Sequence, residues 1–211
     1  MAQIKAVIFD MDGVLIDAKD WHYEALNRAL GLFGLEISRY DHLVTYDGLP
    51  TKSKLKMISM ERGLPEKLHD FINQLKQRYT MEITYARCKP VFYHQYALSR
   101  LKYEGYRIVV CSNSIRRTIE VMMEQAGLTE YLDFFLSNQD VSRPKPDPEM
   151  YTLALQRLGL LPEECLIVED NDHGIKAAIA SGAHVLQVGG VEEVTYQHIM
   201  ERIATFEGEL C

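Results

Sequence analysis

Four short apolar runs punctuate the chain: AVIFD (6–10), YRIVVCS (106–112), CLIVED (165–170) and HVLQVG (184–189). They are rich in β-branched residues and show no polar alternation, the pattern of strands buried on both faces of a parallel sheet. DFFLSN (133–138) is a weaker fifth run. The segments between them have helical periodicity. Over 115–127, Ile119, Met122, Met123 and Ala126 share one side, and Gly127 is placed to stop the helix. In DPEMYTLALQRLG, an acid and Pro148 precede Tyr151, Leu155 and Leu158 at helical spacing. DHGIKAAIASG repeats the plan before the last strand. Successive strand–helix units of this kind predict an α/β fold with a Rossmann-like, three-layer α/β/α parallel-sheet core.

One long stretch breaks the alternation. Residues 17 to about 86 contain no convincing strand but show three amphipathic stripes. Trp21, Ala25, Leu26, Ala29, Leu30 and Phe33 form the first; Leu55, Met57 and Ile58 begin the second; Leu68, Phe71, Ile72 and Leu75 form the third. The expected organisation is a catalytic core of 1–16 and 87–211 with an inserted helical cap of 17–86. Insertions of this kind act as lids that exclude water and select substrates.

Composition narrows the partners. With 23 basic and 30 acidic residues the formal net charge is −7, which argues against nucleic acid or an anionic membrane as partner. An anionic ligand would need local basic groups, helix N-termini or a metal. No run approaches a membrane span. The four cysteines (Cys88, Cys111, Cys165, Cys211) are widely spaced with no CxxC pattern, which fits reduced thiols in a cytoplasmic setting. The opening MAQIKAVIFD has no signal-peptide cleavage pattern, in keeping with that location.

The chemistry collects where the strands end. In an open parallel sheet, ligands bind outside the carboxyl ends of the strands. The first run ends in Asp10-Met11-Asp12-Gly13, the second in Ser112-Asn113-Ser114 and the fourth in Glu169-Asp170-Asn171-Asp172. SRPKPDP (142–148) adds Lys145 between two prolines. Four carboxylates at one edge repel one another unless a hard cation sits among them, and Mg²⁺ takes oxygen ligands of this kind. Asp10 can serve as metal ligand and as nucleophile on phosphorus. Asp12 is suited to protonate a leaving oxygen and then activate water. Ser112 and Asn113 offer a hydroxyl, an amide and backbone N–H groups to an anion. Lys145 can offset the charge of nucleophile and phosphoryl group. Each piece alone has a plainer reading: surface acidity, a helix cap, a solvated lysine. Their order at successive strand ends points to phosphoryl transfer.

These motifs resemble those of the haloacid dehalogenase-like superfamily, in the helically capped subgroup of β-phosphoglucomutase-like enzymes and phosphoglycolate-type phosphatases. FDMDGVLID is similar to its first motif, CSNS to its second, RPKPDP to its third and VEDNDHGIKAAIASGA to its fourth. The resemblance covers nearly the whole chain. It implies Asp10 as nucleophile, Asp12 as acid/base, and Ser112 and Lys145 on the phosphate. It also implies Asp10, the Asp12 carbonyl, Asp170 and Glu169 around Mg²⁺. The second aspartate of the first motif argues against dehalogenation.

The same resemblance frames the choice between hydrolase and mutase. The cap loop YDGLPTKSKL (46–55) is similar to that of the mutases, but the arginine gripping the second phosphate there falls on Thr51, next to Lys52. Asp47 is acidic where the mutases carry a base. His22 matches a histidine that the mutases place near the acid/base, and reads equally as a partly buried helix residue. Arg87, Lys89, Tyr93 and His94 read either as a connector or as groups shaping an anionic site. The expectation is a Mg²⁺-dependent phosphatase acting on a small phosphorylated metabolite, a sugar or polyol phosphate, as a monomer or weak homodimer. A sugar phosphomutase is the alternative, and a non-catalytic phosphometabolite-binding protein the third reading.

Overall fold

The computed structural model describes residues 3–46 and 48–208. Asp47 and Cys211, both singled out in the sequence, lie outside the described residues. The chain divides into two compact units: residues up to Asp17 with those from Lys89 onward, and Ala18–Cys88.

The first unit is built on a five-stranded sheet, with β1 (Ala6–Phe9), β2 (Arg107–Cys111), β3 (Phe134–Leu136), β4 (Cys165–Glu169) and β5 (His184–Gln187) in the order β3-β2-β1-β4-β5. Every pairing is parallel; Ile8 of β1 lies level with Val109 of β2 and Ile167 of β4. The apolar runs make this arrangement possible, because the three central strands have no solvated face. Val7, Ile8 and Phe9 are all fully buried, and each such side chain contributes about 1.5–3 kcal/mol relative to exposure. On one face, Ile8, Val109 and Ile167 pack with Met150, Tyr151, Ala154 and Leu155 of helix α7 and Ala177 and Ala178 of α8. On the other, Val7, Phe9, Ile108 and Val110 are buried as well.

The helices of this unit are α5 (Phe92–Tyr103), α6 (Arg116–Gln125), α7 (Glu149–Leu158), α8 (Asp172–Ala180) and α9 (Tyr196–Glu207). Gly127, the stop anticipated from sequence, lies just beyond α6 with φ 65°, and Gly159 (φ 67°) caps α7 in the same way. β1 is central because the chain lays β2 and β3 on one side of it, then returns to add β4 and β5 on the other. That reversal opens a crevice at the carboxyl ends of β1 and β4, where Asp10 and Glu169 stand.

The second unit is helical: α1 (Lys19–Gly31), α2 (Arg39–Asp41) continuing into a π-helical segment (His42–Tyr46), α3 (Thr51–Arg62) and α4 (His69–Arg87). The predicted stripes are its core, in which Leu26, Ala29, Leu30, Leu55, Ile58 and Ile72 are buried together. Among the described residues, no helix is long and apolar enough to cross a membrane.

Candidate active site

Asp10 follows β1 directly, and its backbone N–H still donates to Val168 O of β4 at 2.9 Å. After it the chain turns at once. Gly13 has φ 94°, a conformation that favours glycine, and its N–H donates to Ile16 O at 2.7 Å. This turn brings Asp12 back beside the end of β2. Its Oδ2 accepts from Ser114 Oγ at 3.0 Å and from Ser112 Oγ at 3.4 Å.

Lys145 is the hub of the centre. Its Nζ donates to Asp10 Oδ1 (2.7 Å), Glu169 Oε1 (2.7 Å) and Cys111 O (2.8 Å). These three bonds account for all three ammonium hydrogens. All three side chains are removed from water: Lys145 is 2% exposed, Asp10 5% and Glu169 0%. Burial works against the lysine's charge, but Asp10 and Glu169 outweigh it and hold the ammonium protonated, well above the usual lysine range. Burial pushes Asp10 well above the ordinary carboxylate range; Glu169, Asp170 and Asp12 push it the same way, and Lys145 opposes them.

Lys145 has a proline on each side, and neither proline has a backbone N–H to donate. Asn113 supplies the missing order. Its Oδ1 accepts from Lys145 N at 3.0 Å and its Nδ2 donates to Lys145 O at 3.1 Å. The sequence suggested that this amide faces an anion; in the structure its side chain pairs with both backbone groups of Lys145. Ser112 is fully buried, and its hydroxyl also accepts from Ser114 N at 3.0 Å.

Asp10, Glu169 and Asp170 each offer an oxygen, all within 4.8 Å of one another. Two of these three carboxylates share one buried ammonium, so the donor set is hard, oxygen-only and in excess of negative charge. That fits a small divalent cation such as Mg²⁺.

Two neighbours of this centre were missed from sequence. Tyr151, read only as part of an apolar stripe, is fully buried and donates its hydroxyl to Glu169 Oε1 at 2.5 Å. Gly174, in the first turn of α8, lies so close that a Cβ built on it would meet Glu169 Oε1 at 1.9 Å. An apolar stripe hides a polar tip, and a lone glycine in a helix is the one signal of close approach that was available.

The remaining sequence candidates fall elsewhere. His22 is on α1 in the helical unit, where its Nδ1 lies 3.1 Å from Nζ of the buried Lys76. Thr51 opens α3 after Pro50, and Lys52, beside it, is exposed. Arg87 is an exposed partner of Glu24 at 2.8 Å. Lys89 is exposed and Tyr93 half-buried. His94 is buried, with Nε2 2.9 Å from Val191 O, and burial lowers its pKa. Of the connector residues, His94 is thus part of the packing. Asp172 is exposed at the start of α8. Cys111 and Cys165 are buried thiols pushed up to about 12, and Cys88 to about 11, so all three stay protonated.

The fold and the centre together define an α/β protein with a buried carboxylate cluster at the end of its central strand. Residues 7–188 match the haloacid dehalogenase-like hydrolases, and the chain belongs to that family. It is a phosphatase of that family. A phosphorylated carbohydrates phosphatase of Thermotoga maritima is 28% identical over 182 residues, spanning 85% of this chain and 82% of its own. The pyrophosphatase PpaX of Bacillus velezensis is 30% identical over 189 residues, spanning 85% and 81%. Among solved structures, a β-phosphoglucomutase from Clostridium difficile superposes with a TM-score of 0.84 over 98% of this chain and 100% of its own, at 20% identity. At that identity the likeness is one of fold.

Proposed function

We propose that this phosphatase hydrolyses a small phosphomonoester, a sugar or polyol phosphate, with Asp10 as nucleophile. One observation carries the reading: the buried Asp10 carboxylate is gripped at 2.7 Å by an ammonium that Glu169 also holds. The pairing fixes the Asp10 carboxylate and opposes the neutralising effect of burial. An Asp10 oxygen attacks phosphorus while the ester oxygen leaves, and Asp12 gives that oxygen its proton. Water then attacks the same phosphorus, Asp12 takes the water's proton, and the aspartyl–phosphate P–O bond breaks to restore Asp10.

Ser112 and Ser114 support this role for Asp12, because their hydroxyls hold its carboxylate in place. Asp10, Glu169 and Asp170, with the Asp12 carbonyl, would hold Mg²⁺. A cation bound there supplies positive charge against the phosphoryl oxygens. We assign substrate contacts to Ser112, Asn113 and Lys145 in the core unit and to His22, Thr51 and Lys52 in the helical unit. A sugar or polyol ester is favoured by the named activity of the Thermotoga maritima relative.

The test is phosphate release from a panel of phosphorylated sugars, polyols, phosphoglycolate and pyrophosphate, using wild type and Asp10→Asn. The expected result is turnover of a sugar or polyol phosphate that the variant loses by about 10⁴-fold or more. Substantial activity in Asp10→Asn overturns the nucleophile. Conversion of β-glucose 1-phosphate to glucose 6-phosphate in the presence of a bisphosphate, without phosphate release, replaces the hydrolase by a mutase.

A further inference from the structure

The carboxylate of Glu169 is held more tightly than a metal ligand at a strand end requires. Lys145 Nζ and Tyr151 Oη both donate to its Oε1, at 2.7 and 2.5 Å, and the N–H of Asp170 donates to its Oε2 at 3.2 Å. On a further side stands Gly174, with no room for even a methyl group. Tyr151 touches both members of the Lys145–Glu169 pair, since the lysine Nζ also lies 4.6 Å from the centroid of its ring. The ring is contributed by the first turn of α7, three residues after Pro148.

A fully buried phenol needs a hydrogen-bond acceptor, but a neutral carbonyl would satisfy it. Here the acceptor is a carboxylate oxygen of a candidate metal ligand, and it also accepts from Lys145. Rotation of the Glu169 carboxylate would break the phenol bond and the lysine bond together. The hydroxyl therefore fixes the plane of the carboxylate, and with it the oxygen left for a cation beside Asp10 and Asp170.

We propose that Tyr151 is a positioning residue for the metal centre, acting through Glu169. The proposal rests on the reading that Asp10, Glu169 and Asp170 bind Mg²⁺. Outer partners of ligating groups commonly govern metal affinity by 10–100-fold. Tyr151→Phe keeps the ring, its packing on Ile8 and Ile167, and its face toward the ammonium; it removes only the donor. A residue that merely fills the core would leave Mg²⁺ affinity unchanged in that variant.

The experiment measures Mg²⁺ binding to the full-length protein by calorimetry for wild type, Tyr151→Phe, and a protein with 4-aminophenylalanine at position 151, which restores an N–H donor. The expected result is a Kd about tenfold higher for Phe, recovered to within about threefold of wild type by the amine. Equal Kd values for wild type and Phe overturn the proposal. So does a Phe defect that the amine fails to recover. A second measurement does not depend on the folding of Phe: 3-fluorotyrosine at position 151 should give a ¹⁹F resonance that moves with the wild-type Mg²⁺ affinity. A resonance unmoved at saturating Mg²⁺ overturns the positioning role. Wild type that binds no Mg²⁺ removes the metal reading and the proposal with it. Wild type that binds normally, with an unaffected Phe variant, removes the positioning role alone.

Discussion

Lys145 carries the heaviest electrostatic load of any single residue here, since two buried carboxylates depend on one ammonium. Removing one member of such a group leaves the others uncompensated, at a cost of about 3–5 kcal/mol. Lys145→Met should therefore abolish turnover and also lower the melting temperature, by roughly 10 °C for a chain of this size. Thermal denaturation with chelator present checks it, because bound Mg²⁺ would mask part of the loss. Gly174 makes a sharper prediction. Helix propensity alone says that alanine stabilises a helix over glycine by about 1 kcal/mol. The close approach to Glu169 says the reverse. Gly174→Ala should lower stability and weaken Mg²⁺ binding by about tenfold or more, read by melting and calorimetry. Neither Gly174 nor the Tyr151 hydroxyl was legible in the sequence as part of the site. Tyr151 reaches Glu169 from the helix before β4 and Gly174 from the helix just after it, and spacing alone does not say which residues of those helices face the carboxylate.

The elements themselves were more legible. Unbroken β-branched runs can be satisfied only by strands covered on both faces, so the five strands appear where the apolar pattern puts them. The strand ends were shortened in the structure: DFFLSN (133–138) contributes only Phe134–Leu136 to pairing. The connector before β2 reads differently at close range. His94 of α5 is buried and bonded to Val191 O, in the short 3₁₀ turn Val191–Glu193. Its pKa is lowered by burial. A histidine with a depressed folded-state pKa stabilises the fold fully above its unfolded value, near 6.5. That contribution is lost as pH falls through the lowered folded value. The melting temperature should therefore drop as pH is lowered from 7 toward 5, and His94→Gln should flatten that drop. An unchanged pH profile in the variant would place the sensitivity in another group.

At the scale of the whole molecule, the excess of carboxylates at the end of the sheet ties stability to metal. Asp10, Glu169 and Asp170 gather there while one ammonium pairs with the first two, so a divalent cation that binds only the folded state should raise stability. At a hundredfold excess over Kd the gain is about 2.7 kcal/mol, or roughly 5–10 °C in melting temperature. EDTA should reverse it and stop phosphate release, and activity indifferent to chelation would remove the metal from the reaction. The two compact units divide the chain at Asp17/Ala18 and Cys88/Lys89. They carry different parts of the problem: the core unit holds the groups assigned to the reaction, and the helical unit holds His22, Thr51 and Lys52.

The sequence by itself determined the parallel sheet and the inserted helices and pointed to the candidate reacting groups, because each is written in local pattern. Apolar runs specify buried strands, and acids, serines and a proline-flanked lysine at strand ends specify a site at one edge. Only the tertiary structure decided how those groups share their hydrogen bonds. It paired the Asn113 amide with both backbone groups of Lys145 and gave the Lys145 ammonium three acceptors. It also brought Tyr151 and Gly174 against Glu169. Hydrogen-bond partners and close approaches depend on distances between elements far apart in the chain, and those distances exist only once the sheet has gathered its strand ends.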